Sequence, residues 1–135
     1  MSPEVRFGLA FLATLLTLLG ALVTGLRWRI RRRRAWHLGL VGLTLALLGW
    51  TVFEAYALGD HYDLESAGLV FHVHMFLARA ATASLLIPVM GGALVLWKGR
   101  FHAAHRIAAF VAVTLVTLAA ITGVWMLAWA TPLPG

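Results

Sequence analysis

The stretch "LTLLGALVTGLRWRIRRRRAWHLGLVGL", Leu16 to Leu43, sets an apolar run on each side of a block of arginines. Six of the eleven Lys and Arg residues of the chain lie between Arg27 and Arg34. On both sides the apolar sequence continues for about 20 residues with few charges, the length a helix needs to cross the hydrocarbon core of a bilayer. The block therefore reads as a connection at a membrane surface, where it sets orientation and meets anionic headgroups.

The rest of the chain agrees with that reading. Of its 135 residues 61% are hydrophobic and 12% charged, against about 45–50% and 25% in a soluble domain. The length allows one membrane domain, residues 1–135, with almost no soluble part. The net charge of +6 sits mostly in the arginine block, so no nucleic-acid partner is expected; the expected partner is the lipid bilayer. The chain has no cysteine, which excludes disulfides, thiolate-bound zinc, Fe–S clusters and c-type haem attachment. No nucleophile elbow, phosphate loop or HExxH motif occurs, and nothing in the sequence marks an enzyme.

Four segments are long and apolar enough to span, at about residues 5–26, 37–58, 69–97 and 103–129. Their connections are short, so the spacing predicts an all-α, up-down four-helix bundle with antiparallel neighbours. No segment alternates as a barrel strand must, so no sheet is expected among the spans. The first span begins with Glu4 and Arg6 and lacks a small-residue cleavage site, which reads as a retained helix rather than a signal peptide. Arg27 to Arg34 fill one connection, and Lys98, Arg100 and Arg106 cluster about another. The connection "GDHYDLES" carries Asp60, Asp63 and Glu65 and no Lys or Arg. The positive-inside rule then puts both termini outside the cytoplasm of a cell inner membrane. Trp28, Trp36 and Trp97 fall at the inner interface and Tyr56, Tyr62, Trp125 and Trp129 at the outer one, as aromatic belts do. Pro88 lies inside the third span and deprives the Ser84 carbonyl of its helical donor.

Ionisable groups inside spans are the functional candidates. His37, His102 and His105 fall at the cytoplasmic ends of helices two and four; His61, His72 and His74 fall at the outer ends of helices two and three. In an up-down bundle helices two and four are diagonal, roughly 13 Å apart given neighbours at about 8–10 Å. Two imidazoles facing such a gap can ligate one haem iron, which makes His37 and His105 the candidate cofactor ligands. At the outer end Glu54, His61 and His72, or His74 in place of His72, can converge on a copper, zinc or iron ion. His72 and His74 lie about 200° apart around a helix and cannot face the same way. Arg79 lies about 15 Å along helix three from Leu69, and its expected counter-ion is Glu54. That pairing favours the face bearing His72. Met75, Met90 and Met126 read as core filler. Gly20, Gly25, Gly39 and Gly42 read as close helix-packing positions.

"RFHAAHRIAAF" followed by "AAITGVWMLAW" resembles the small four-helix membrane proteins of the YozB/CtaM type over about residues 35 to 130. The matching positions are His37, then Arg100 and Phe101, His105 and Arg106, and Thr122 and Gly123. The resemblance implies a role in the assembly or activity of haem–copper terminal oxidases, with oxidase subunits or another respiratory complex as partner. It points to His74, followed four residues later by Ala78, as the helix-three histidine, and His61 is a displaced match at the end of helix two. The proline–tryptophan of helix four in that family is replaced by "FVAVTLV". The layout is also similar to cytochrome b561-type bundles, which place histidine pairs at both ends of the core. The leading expectation is binding of haem b or a transition-metal ion in support of a respiratory oxidase. The alternatives are a membrane b-type cytochrome that transfers electrons and a non-catalytic structural subunit of a larger complex.

Overall fold

A computed structural model describes residues 1–26 and 31–134, without the side chains of residues 31–33. Arg27, Trp28 and Arg29, expected at the inner membrane surface, lie outside the described residues. Four helices carry the chain: α1 (Pro3–Leu26), α2 (Arg31–Gly59), α3 (Leu69–Lys98) and α4 (His102–Trp129). All four are long and apolar enough to cross a membrane, so the chain is a multi-pass membrane protein. The helix bounds match the sequence expectation closely except at α2, which starts within the arginine block.

The chain divides into two units, Met1–His61 and Tyr62–Pro134, each built on one helical hairpin. In the first, α1 and α2 run antiparallel. Arg6 meets Glu54 at one end, Thr14 meets Thr51 in the middle, and Ala21 meets His37 at the other. The Thr14 and Thr51 hydroxyls are 2.8 Å apart and each also lies 2.9 Å from a carbonyl one turn back in its own helix. One hydroxyl proton can bridge the helices while the other returns to its carbonyl, so both buried oxygens are satisfied. The face of α1 that packs is small, with Ala10, Thr14 and Ala21 buried. The opposite face carries Leu9, Leu12, Leu16, Leu19 and Val23, all exposed. Small residues inside and large ones outside is the inverse of a soluble core; lipid solvates the leucines, and the helices gain by close approach.

In the second unit α3 and α4 pack antiparallel through a similar seam, with Ala81 and Ala112 buried between larger exposed neighbours. Their connection turns on two left-handed residues, Gly99 (φ 63°) and Phe101 (φ 72°). Glycine adopts that conformation freely, whereas an aromatic residue there costs roughly 1 kcal/mol or more. The Phe101 carbonyl accepts the His105 N–H at 3.0 Å, so this turn sets where α4 starts and where His105 stands. Outside the spans, a 3₁₀ turn over Leu64–Ala67 and a two-residue antiparallel ribbon tie the unit together. In the ribbon Tyr62 pairs with Pro132 and Asp63 with Thr131. The Thr131 N–H donates to the Ser66 hydroxyl at 2.8 Å. Trp36, Trp97, Trp125, Trp129 and Tyr56 are exposed on the helices, as residues of an interfacial belt must be.

Candidate cofactor-ligating histidines

Three of the six histidines are held in the same way. The Nδ1 of His37 lies 2.8 Å from the Ala21 carbonyl oxygen across the α1–α2 seam. The Nδ1 of His74 lies 3.1 Å from the Ala119 carbonyl across the α3–α4 seam. At the far end of that seam the Nδ1 of His105 lies 2.9 Å from the Pro88 carbonyl. A carbonyl oxygen only accepts, so in each case Nδ1 carries the proton and donates. Nδ1–H leaves Nε2 as the nitrogen with a lone pair in the neutral ring, and a backbone acceptor on the other nitrogen is what holds a metal-ligating imidazole in one tautomer and orientation.

A glycine four residues beyond the accepting carbonyl makes room for each ring. A Cβ on Gly25 would come within 2.9 Å of His37 Cε1, and one on Gly123 within 2.9 Å of His74 Cε1. A Cβ on Gly92 would stand 3.3 Å from His105 Cε1. Two of the cradles also share a threonine. Thr24 donates to the Gly20 and Ala21 carbonyls, and its hydroxyl oxygen stands 3.4 Å from His37 Nδ1. Thr122 donates to the Leu118 and Ala119 carbonyls and stands 3.3 Å from His74 Nδ1. The two helices that build these cradles carry the same spacing, Ala-x-x-Thr-Gly, as "ALVTG" in α1 and "AAITG" in α4. All three rings are half-buried. The Nε2 atoms of His37 and His74 have no hydrogen-bond partner among the described residues.

The other expected ligands are placed differently. His72 is exposed beside Phe71, with ring centroids 5.3 Å apart, so of the two alternatives on α3 it is His74 that turns into the seam. His61 is exposed and returns its Nδ1 proton to the Ala57 carbonyl of its own helix at 2.9 Å. His102 is exposed at the first turn of α4. Among the described residues no three His, Asp or Glu side chains gather as a metal cage.

Glu54 has a partner within its own hairpin. Its buried carboxylate lies 3.3 Å from Arg6 Nε and accepts the Trp50 indole N–H at 3.1 Å, both within the first hairpin. The Arg6 contact is Coulombic, since neither Arg6 Nε nor Glu54 Oε2 meets hydrogen-bond geometry. Arg79, the expected counter-ion, is exposed on α3. Gly20 and Gly25 pack closely, against Leu40 and His37, as expected, whereas Gly39 and Gly42 have open space before them. Gly39 lines an apolar groove on α2 with Ala35, Trp36, Leu40 and Leu43.

No family model, curated protein or solved structure matches this chain.

Proposed function

We propose that this chain is a membrane haem protein in which His37, His74 and His105 would hold the haem iron, and that it supports a respiratory haem–copper oxidase, the role its resemblance to the YozB/CtaM type implies. One observation carries the haem reading: three histidines on three helices share a cradle that protonates Nδ1, and in His37 and His74 this leaves Nε2 as the open donor. A bare zinc, copper or iron ion needs three or four protein donors. Each cradle presents a single imidazole. Haem supplies four nitrogens of its own and asks the protein for one or two axial groups, which suits donors presented singly. When bound, haem b would supply one-electron redox chemistry; the residues of this chain would hold it and exclude water with the apolar surfaces around the rings. Lys98, Arg100 and Arg106, at the His105 end of the second hairpin, are the cations suited to haem propionates. The basic connections are assigned to the cytoplasm of an inner membrane and the termini to the outside, on the charge asymmetry of the sequence.

The test is an absorbance spectrum and metal analysis of the detergent-purified chain. A Soret band that shifts on reduction supports the proposal. A stoichiometric ion without haem would replace haem by a metal centre. Absence of both after incubation with haemin would leave a structural subunit. The oxidase role is read separately: deletion of the chain should lower terminal oxidase activity in membranes, and unchanged activity would remove it.

A further inference from the structure

The space in front of Gly39 is shaped. Ala35, Trp36, Gly39, Leu40 and Leu43 line a groove of about 340 Å³ along α2, and all five are apolar. From Ala35 to Leu43 the groove is about 12 Å long at 1.5 Å per residue, within the depth of about 15 Å that one leaflet of hydrocarbon occupies. It starts directly after the arginine block, and Trp36 on its rim is 66% exposed. Arg32, Trp36, Gly39 and Leu43 follow one another at spacings of four, three and four residues, so their backbone positions share one face of α2. An arginine position thus heads the line of the groove. Arg34 comes two residues after Arg32, about 200° around the helix, and is exposed.

We infer that this groove holds one acyl chain of an anionic phospholipid, with the lipid phosphate at the arginine end of α2. A polybasic segment attracts anionic headgroups diffusely and needs no groove to do so. An apolar groove without charge takes any lipid chain. Here the two stand on one helical face, at the spacing of a phospholipid's own phosphate and chain, and that combination makes a site selective for an anionic lipid. Charge complementarity decides the occupant. A second copy laid parallel in the groove would bring its own arginine block to the same depth, where like charges repel. Gly39 acts by the side chain it lacks: a Cβ there meets nothing within 4 Å, so a larger residue fills the groove without disturbing the α1–α2 seam. The site is independent of haem.

The experiment titrates the detergent-solubilised full chain with phosphatidylglycerol and with phosphatidylcholine of the same acyl chains, and counts lipids bound per chain by native mass spectrometry. We expect one phosphatidylglycerol to bind at least tenfold more tightly than phosphatidylcholine. Gly39→Leu should weaken that binding several-fold. Gly49→Leu, the same change at another open glycine about 15 Å along α2, should leave it unchanged. Arg32→Gln should cost about fivefold, the worth of one basic residue near an anionic surface, whereas Arg34→Gln, an equal change in net charge on the opposite face, should cost less. Helix content and thermal unfolding confirm that each variant is folded. Equal affinity of the wild type for the two lipids would overturn the inference. So would undiminished phosphatidylglycerol binding in Gly39→Leu, or equal losses in Arg32→Gln and Arg34→Gln, which would leave diffuse electrostatics alone. A change of oligomeric state in Gly39→Leu would also overturn it and give the groove to a second copy.

Discussion

Gly123 lies directly beneath the imidazole of His74: a methyl group on its Cα would approach Cε1 to 2.9 Å, closer than carbon atoms tolerate. The ring cannot slide away without stretching its 3.1 Å bond to the Ala119 carbonyl. Gly25 stands in the same relation to His37. Gly123→Ala and Gly25→Ala should therefore each turn an imidazole out of its cradle. Overpacking of this kind costs about 1–3 kcal/mol, and the affinity for haem at that cradle should fall several-fold. Gly92→Ala, where the approach to His105 is 3.3 Å, should do less. Binding isotherms and thermal unfolding in detergent read both effects, and equal haem affinity in Gly123→Ala and wild type would show that the cradle does not position a ligand.

A second prediction concerns Glu54. Arg6→Leu strands a buried carboxylate and should destabilise by about 1–3 kcal/mol, below the about 3–5 of a wholly enclosed pair because Arg6 is 43% exposed and its charge is partly screened. Arg6→Leu with Glu54→Leu should recover much of that loss. Unfolding of the two single variants and the double variant gives the coupling; strict additivity would mean that the contact contributes nothing. The same cycle on Arg79 and Glu54 is the comparison, and strong coupling there would give Glu54 the partner that the sequence alone suggested.

Topology gives a third. With Lys98, Arg100 and Arg106 about one connection and only acids in "GDHYDLES", a periplasm-active reporter at the C-terminus should be active, and one fused after Lys98 inactive. The opposite pattern would reverse the orientation and exchange the membrane sides of His37 and His74.

The spans were legible because about 20 apolar residues in a row leave few alternatives to a membrane helix, and α1, α3 and α4 end within two residues of the expected positions. The start of α2 was not, because a run of arginines has good helix propensity and gives no local stop signal. His37 and His105 were legible as candidates from position alone. The choice between His72 and His74 was not, because helical periodicity separates their faces without saying which face meets α4. The resemblance pointed to His74 and the face argument to His72. The face argument ran through a pairing of Arg79 with Glu54, and periodicity could not foresee that Glu54 also has Arg6 of α1 beside it, forty-eight residues away in sequence. Two of the three cradles were written in the sequence as Ala-x-x-Thr-Gly, once in α1 and once in α4. Their sense is invisible without the packing, because the group that binds is a backbone carbonyl and the glycine acts by what it lacks.

The central claim is that a cradled histidine ligates haem iron through Nε2, and His37 tests it most directly because its hairpin holds a single such cradle among the described residues. His37→Gly removes the ring and leaves a hole the size of an imidazole beside Gly25. The measurement is the reduced-minus-oxidised spectrum and the haem content of this variant, in detergent, before and after addition of free imidazole. The account predicts a loss of haem or a shift of the Soret band in His37→Gly, restored by imidazole but not by an amine of similar size, while His72→Gly keeps the wild-type spectrum. A His37→Gly protein with wild-type haem content and spectrum, unmoved by imidazole, would contradict it.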